Sequence, residues 1–210
     1  RRYNTISKGK EYKFEYILAD TLGNRLKDKK QLGSKNTELY YEITRTDYTE
    51  TLRTGVNGNV YTSYTRNNVT EATGKLKLDI SGNIPFTPEK SGEYTLSVYA
   101  FDKNNRKTKT ELSFFVTGSG YYMMPEKDIM LYPSQDIYNP GDKAEIIMQS
   151  PLPEGDYLIT VEREGIFSTE IKHFDGSINT FEIPIARNYT PVVYVSVCSY
   201  SVRSGEPVHT

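Results

Sequence analysis

Residues 137–151, Ile-Tyr-Asn-Pro-Gly-Asp-Lys-Ala-Glu-Ile-Ile-Met-Gln-Ser-Pro, constrain this chain more than any other stretch. Pro140 fixes φ near the value that the second position of a tight turn needs, and Gly141 supplies the positive φ that a type II turn requires next. Beyond the turn, Ala144, Ile146 and Met148 share one side of an extended segment, and Glu145, Ile147 and Gln149 share the other. A period of two predicts a strand. Ser150-Pro151 ends it, because proline donates nothing to a sheet ladder and restricts the residue before it. A proline-glycine turn, one strand and a proline stop predict one edge of a β-sandwich, not an active site.

The same grammar recurs along the whole chain. Tyr12, Phe14, Tyr16 and Leu18 alternate with Glu11, Lys13 and Glu15, which predicts a strand with one wet side. Leu22-Gly23-Asn24-Arg25 turns the chain, and Leu39, Tyr41 and Ile43 begin a second strand. Residues 45–75 are polar and poor in aliphatic side chains, and they read as a long hairpin or a mobile excursion. Leu76, Leu78 and Ile80 restart the alternation, and Pro85 and Pro88 break it. Tyr94, Leu96, Val98 and Ala100 form the strongest strand of this half, with Leu112, Phe114 and Val116 returning after a turn at Asp102-Lys103-Asn104-Asn105.

Thr117-Gly118-Ser119-Gly120 reads as a boundary, where small residues follow a finished strand and two glycines permit some hinge motion. Later strands are expected over residues 129–132, 143–149, 157–163, 166–174, 181–185 and 192–197. In the last of these Val193, Val195 and Val197 point inward, and Tyr194, Ser196 and Cys198 outward. Short strands at roughly 8–12-residue spacing, without helical period, make the expected fold all-β. Two tandem antiparallel β-sandwich domains, 1–118 and 128–202, are expected, with a linker at 119–127 and a polar exit tail at 203–210.

Composition narrows the function. Twenty-six basic against 27 acidic residues leave a formal net charge of −1, so neither nucleic acid nor an anionic membrane is an expected partner. Eighteen Tyr and 8 Phe without a Trp suit half-buried strands, where a ring packs and a hydroxyl stays wet. No apolar run is long enough to cross a bilayer. The opening Arg1-Arg2-Tyr3-Asn4 is neither a signal peptide nor an initiator methionine, which points to a piece excised from something larger.

The chemical inventory is thin, and no catalytic, cofactor-binding or metal-ligating residue is assigned. His173 sits near a strand end and His209 in the tail, with no nucleophile motif beside either. Cys198 lies in a strand pattern, where half-buried thiols are inert. Asp102-Lys103-Asn104-Asn105 lacks the later acid of a calcium loop, and Arg106-Lys107 oppose a cation. Asp142 reads as a turn residue. Glu162 and Glu164 fall on one strand face, but a sugar-cleaving carboxylate pair has no tryptophan here to stack its substrate. Gly118-Ser119-Gly120 has neither the lysine nor the helix of a phosphate loop.

Several motifs in order carry a resemblance. Tyr138 to Ala144, Ser150-Pro151, Leu158 to Ile166, Ile183-Pro184-Ile185 and Tyr189 to Val197 are similar to the bacterial α2-macroglobulins, over residues 128–202. The similar domain there lies just upstream of the protease bait region. Gly92-Glu93-Tyr94, Ala100-Phe101-Asp102 and Phe115 to Tyr121 resemble the end of the preceding macroglobulin domain. The chain departs from the pattern at Val192, where asparagine is common, and at Met123-Met124, where tryptophan is common.

The resemblance implies framework domains of a protease trap, non-catalytic and free of cofactors. In such a trap a protease cuts a bait segment, the molecule rearranges and the protease is held. The family's thioester run, Gly-Cys-x-Glu-Gln, does not occur around Cys198. The implied partners are other macroglobulin domains of the same chain and, through the full-length protein, target proteases. The implied location is extracytoplasmic, in the periplasm or at the cell surface, with any lipid anchor carried elsewhere in the parent and no direct membrane contact here. The same fold class also serves surface adhesins and carbohydrate-binding modules, for which Tyr40, Tyr61 and Tyr64 are the candidate platform.

Overall fold

A computed structural model describes residues 4–32, 38–102, 104–125, 127–203 and 206–209. The described residues form fourteen strands and two short 3-10 turns, Lys29–Leu32 and Arg187–Tyr189, with no α-helix. The strands pair into four sheets, which face one another two by two.

In the N-terminal sandwich a five-stranded sheet runs β1 (Asn4–Ser7), β7 (Lys107–Thr117), β6 (Gly92–Phe101), β3 (Glu38–Thr54), β4 (Val60–Lys77). Only β1 joins in parallel, along β7. Facing this sheet is a pair, β2 (Tyr12–Ile17) and β5 (Ser81–Phe86). The alternation explains the packing: Ile43, Leu96 and Leu112 meet across neighbouring strands, as do Arg45, Tyr94 and Phe114. Phe14, Ile84 and Phe86 from the two-stranded sheet close the core with Ile6, Ile43, Tyr94, Leu96, Phe114 and Val116. Arg45 is buried in this row, and its guanidinium is held by Asp47 and by Glu71 at 2.8 Å. A charge taken out of water needs such partners.

Residues 45–75 form the long hairpin, not a mobile excursion. The ladder is continuous from Glu38↔Lys77 to Thr54↔Val60, with one irregularity at Ile43/Thr44. The neighbouring strand β6 pairs with β3 only from Tyr40 to Thr46. From Asp47 outward the hairpin is therefore a two-stranded ribbon. Its eight residues at about 3.3 Å each carry the tip about 26 Å from the sheet. Thr and other polar residues dominate it, so it pairs well while burying little beyond Tyr48, which is why its apolar pattern is faint.

In the C-terminal sandwich, β8 (Met130–Pro133), β9 (Lys143–Gln149) and β12 (Ile178–Pro184) form a sheet in the order β12-β9-β8. Opposite lie β11 (Ile166–Asp175), β10 (Glu154–Glu162), β13 (Tyr194–Arg203) and β14 (Glu206–His209), in that order. The core holds Ala144, Ile146, Met148, Leu152, Tyr157, Ile159, Val161, Phe181 and Ile183, with Val193, Val195 and Val197 packed against it as expected. The tail residues 206–209 form an exit strand paired to β13.

The turn before β9 is as the sequence predicts. Asp142 N donates to Asn139 O at 3.0 Å, the Asp142 carboxylate accepts from Asn139 N at 2.8 Å, and Gly141 takes φ 98°. The strand itself corrects the expectation. β9 lies in the middle of its sheet, not at an edge, and Ile147 and Gln149, assigned to its second side, are only 1% and 2% exposed. The reason is that the N-terminal sandwich covers the face that alternation treats as open to water.

Candidate functional site

The most elaborated surface of the described chain is the joint between the two sandwiches. Phe115, Tyr122, Met124, Ile147 and Ile178 form a buried apolar cluster of their own, with Tyr48, Met130 and Tyr132 packed against it. Phe115 closes β7, Ile147 and Ile178 come from β9 and β12, and Tyr122 and Met124 come from the connection between sandwiches. Met124 thus fills buried space at the place where the resemblance puts a tryptophan.

Polar groups sew the same surface. Tyr122 N donates to Ser177 Oγ at 3.1 Å, and the Tyr122 hydroxyl donates to the Thr46 carbonyl at 2.9 Å. Gly118 N reaches Ile178 O at 3.2 Å, and Ser177 N reaches Gly120 O at 3.1 Å. Gln149 Nε2 donates to Glu93 Oε1 at 3.0 Å across the joint. Gly176, at φ 119°, presses so closely that a Cβ would stand 2.4 Å from Gly118 O. Burial, with the Glu93 carboxylate adding to it, pushes the Tyr122 phenol far above its ordinary range, so it remains a donor. The glycine-rich boundary that composition marks as a hinge is therefore paired backbone pressed into a seam. Tyr122 was visible in the sequence as the start of an aromatic cluster. Ser177 and Gly176 were not, because a Gly-Ser turn between two strands looks the same whether or not another sandwich lies on it.

The residues singled out for chemistry are scattered. His173 stands on β11 with Nδ1 2.8 Å from Asp156 Oδ1 and Nε2 3.2 Å from Asp175 Oδ1. All three side chains are mostly exposed, so the acids meet the histidine at the surface and not in a deep pocket. The Asp156 hydrogen bond is the main cause that raises the imidazole above its ordinary pKa, with Asp175 adding to it and desolvation opposing. His209 lies in β14, its side chain outside the described residues. Cys198 is exposed, not half-buried, because it occupies the outer face of β13.

Asp102 spends its carboxylate on its own turn, accepting from Asn104 N at 2.8 Å, Arg106 N at 2.9 Å and Arg106 Nε at 2.7 Å. Residue 103 lies outside the described residues. Glu162 and Glu164 do not share a strand face: β10 ends at Glu162, and Glu164 takes φ 57° in the turn that follows. Tyr40, Tyr61 and Tyr64 do not gather into one platform. Tyr61 and Tyr64 are an odd number of residues apart on β4 and face opposite ways, and Tyr40 stacks on Tyr99 at 5.3 Å.

One structural residue escaped sequence reading. Arg163, between the two glutamates, donates to the carbonyls of Thr190 at 2.7 Å, Val192 at 3.2 Å and Asn188 at 3.3 Å. It thereby fastens the loop that precedes β13. Val192, the departure from the family pattern, contributes its carbonyl and leaves its side chain half exposed.

Comparison with known proteins follows the same two halves. The sequence model of the family described as Alpha-2-macroglobulin bait region domain matches residues 129–210, which takes in the C-terminal sandwich and the tail and corrects the expectation that this sandwich lies just upstream of such a domain. An alpha-2-macroglobulin homolog of Deinococcus radiodurans is 26% identical over 140 residues, covering 65% of this chain and 13% of its own length. Among solved structures, the native conformation of E. coli alpha-2-macroglobulin aligns with 98% of the chain at 17% identity and a TM-score of 0.41. The Salmonella protein reacted with methylamine aligns with 95% of it at 15% identity and a TM-score of 0.41. The chain spans about 13% of the length of the Deinococcus relative and 13–14% of these two structures. The bait region domain model on its C-terminal sandwich and a bacterial homolog matched over most of its length make the chain similar to the bacterial alpha-2-macroglobulins.

Proposed function

We propose that this chain is a non-catalytic framework part of a bacterial endopeptidase inhibitor that traps proteases. Its two macroglobulin-type sandwiches, 1–118 and 128–202 around the connection 119–127, position the bait region and pass on the movement that follows its cleavage. The match of the bait region domain to residues 129–210 is the observation that carries this reading. The physical setting supports it: the two sandwiches meet in a buried apolar cluster crossed by hydrogen bonds from Tyr122 and Gln149. The partners in this reading are neighbouring macroglobulin domains of the parent and, through the whole parent, target proteases. The parent works outside the cytoplasm, in the periplasm or at the cell surface.

The test compares the 210-residue chain with its full-length parent against a panel of endopeptidases. The parent is expected to slow digestion of a folded protein substrate, and the isolated chain in molar excess to leave it unchanged. Stoichiometric inhibition by the isolated chain, or hydrolysis by it, overturns the reading.

A further inference from the structure

The ribbon that projects from the N-terminal sandwich poses a physical problem. A two-stranded hairpin without a third strand or a packed face is marginal in water. Beyond Thr46 the β3–β4 arm has lost β6, and its outer part buries little: Leu52, Val56, Val60 and Tyr61 are all exposed. Something at its base must hold the arm at a fixed angle, and the coordinates place that support at the point where the third strand stops.

Thr46 is the last residue of β3 paired with β6, opposite Glu93. Its carbonyl receives the buried Tyr122 hydroxyl at 2.9 Å, and its hydroxyl receives Arg66 Nη2 from the returning strand at 3.1 Å. Two residues outward on the same face, Tyr48 packs into the cluster of Phe115, Tyr122, Met124, Ile147 and Ile178. Its cross-strand partner is Arg66, so both strands of the ribbon are gripped at this level. Glu93 meanwhile binds Gln149 of the other sandwich at 3.0 Å. Tyr122 is itself fixed through its main-chain N–H to Ser177, which is buried in the turn between β11 and β12. A continuous path therefore runs from the arm through Tyr122 and Ser177 into the C-terminal sandwich.

From this geometry we infer that the arm is a lever braced by the C-terminal sandwich, with Tyr122 as the brace. Arm and sandwiches turn together, and contact made at the exposed tip is delivered to the joint instead of being lost in a loose linker. The ring of Tyr122 supplies packing, and its hydroxyl a bond from the connection to the ribbon's root. This holds whether or not the parent traps proteases.

Amide hydrogen exchange on the 210-residue chain tests it, comparing the native sequence with Tyr122→Phe and Tyr122→Ala. Tyr122→Phe keeps the ring and the fold and deletes the bond to Thr46. Loss of one buried hydrogen bond is expected to speed exchange of the ladder amides in residues 47–52 and 62–67 roughly tenfold. The core amides of residues 144–148 and 157–161 keep their protection and serve as the internal control for folding. Tyr122→Ala, which also removes the ring, is expected to speed the arm further. Unchanged exchange across the arm in Tyr122→Phe, with the cores still protected, overturns the inference. So does loosening that appears equally in the arm and in both cores.

Discussion

Gln149 and Ile147 show at the scale of single residues what alternation can and cannot say. Alternation assigned Ala144, Ile146 and Met148 to one side of β9 and their neighbours to the other, and the first three are indeed core. It carries no information about a second body lying on the other side, so two buried residues looked like surface. His173 illustrates the reverse. Sequence placed it near a strand end without a nucleophile, and it is a surface residue, but the acids around it, Asp156 opposite and Asp175 two positions on, became visible only through strand register. Its folded pKa lies above the ordinary histidine value of about 6.5 because the charged form is hydrogen-bonded to Asp156. A group raised on folding stabilises the fold below its unfolded pKa and loses that contribution as pH rises through the folded one. NMR titration of His173 is expected to give a midpoint above that of the unfolded chain. Asp156→Asn is expected to return it toward the ordinary value, and an unaltered midpoint in that variant contradicts the assignment.

At the scale of elements most strands were legible, because apolar side chains at a period of two and Gly or Pro punctuation mark them independently of their surroundings. β9 runs from Lys143 to Gln149 as the sequence predicts. What alternation could not fix was sheet order, which depends on contacts between distant segments, and the extent of the arm. The outer ribbon carries Thr on both faces and few aliphatic side chains, so neither face announces a core. That composition also predicts how the arm divides energetically. Replacing residues 50–64 by a two-residue Asn-Gly turn removes mainly exposed positions and is expected to shift the melting midpoint by no more than about 2 °C. Tyr48→Ala, at the base, removes a half-buried ring from the joint and is expected to cost about 2 kcal/mol in a denaturant titration. Equal costs for the two changes would mean that the joint does not hold the arm.

At the scale of the whole molecule the fold class and the likeness to bacterial alpha-2-macroglobulins were readable from the sequence, the first from punctuation and the second from motifs in order. The joint was not, since Thr117-Gly118-Ser119-Gly120 has the composition of a flexible linker while its backbone is bonded to Ile178 and Ser177. Neighbouring domains move relative to one another unless a sizeable apolar surface joins them. Here such a surface exists, reinforced by Tyr122, Gln149 and the close approach at Gly176. Spin labels at Glu15→Cys on β2 and Thr169→Cys on β11, both exposed, with Cys198→Ser to remove the native thiol, measure the distance between the sandwiches directly. One narrow distance distribution is the result expected of a single rigid frame; a broad or multiply peaked distribution in the otherwise intact chain would contradict it.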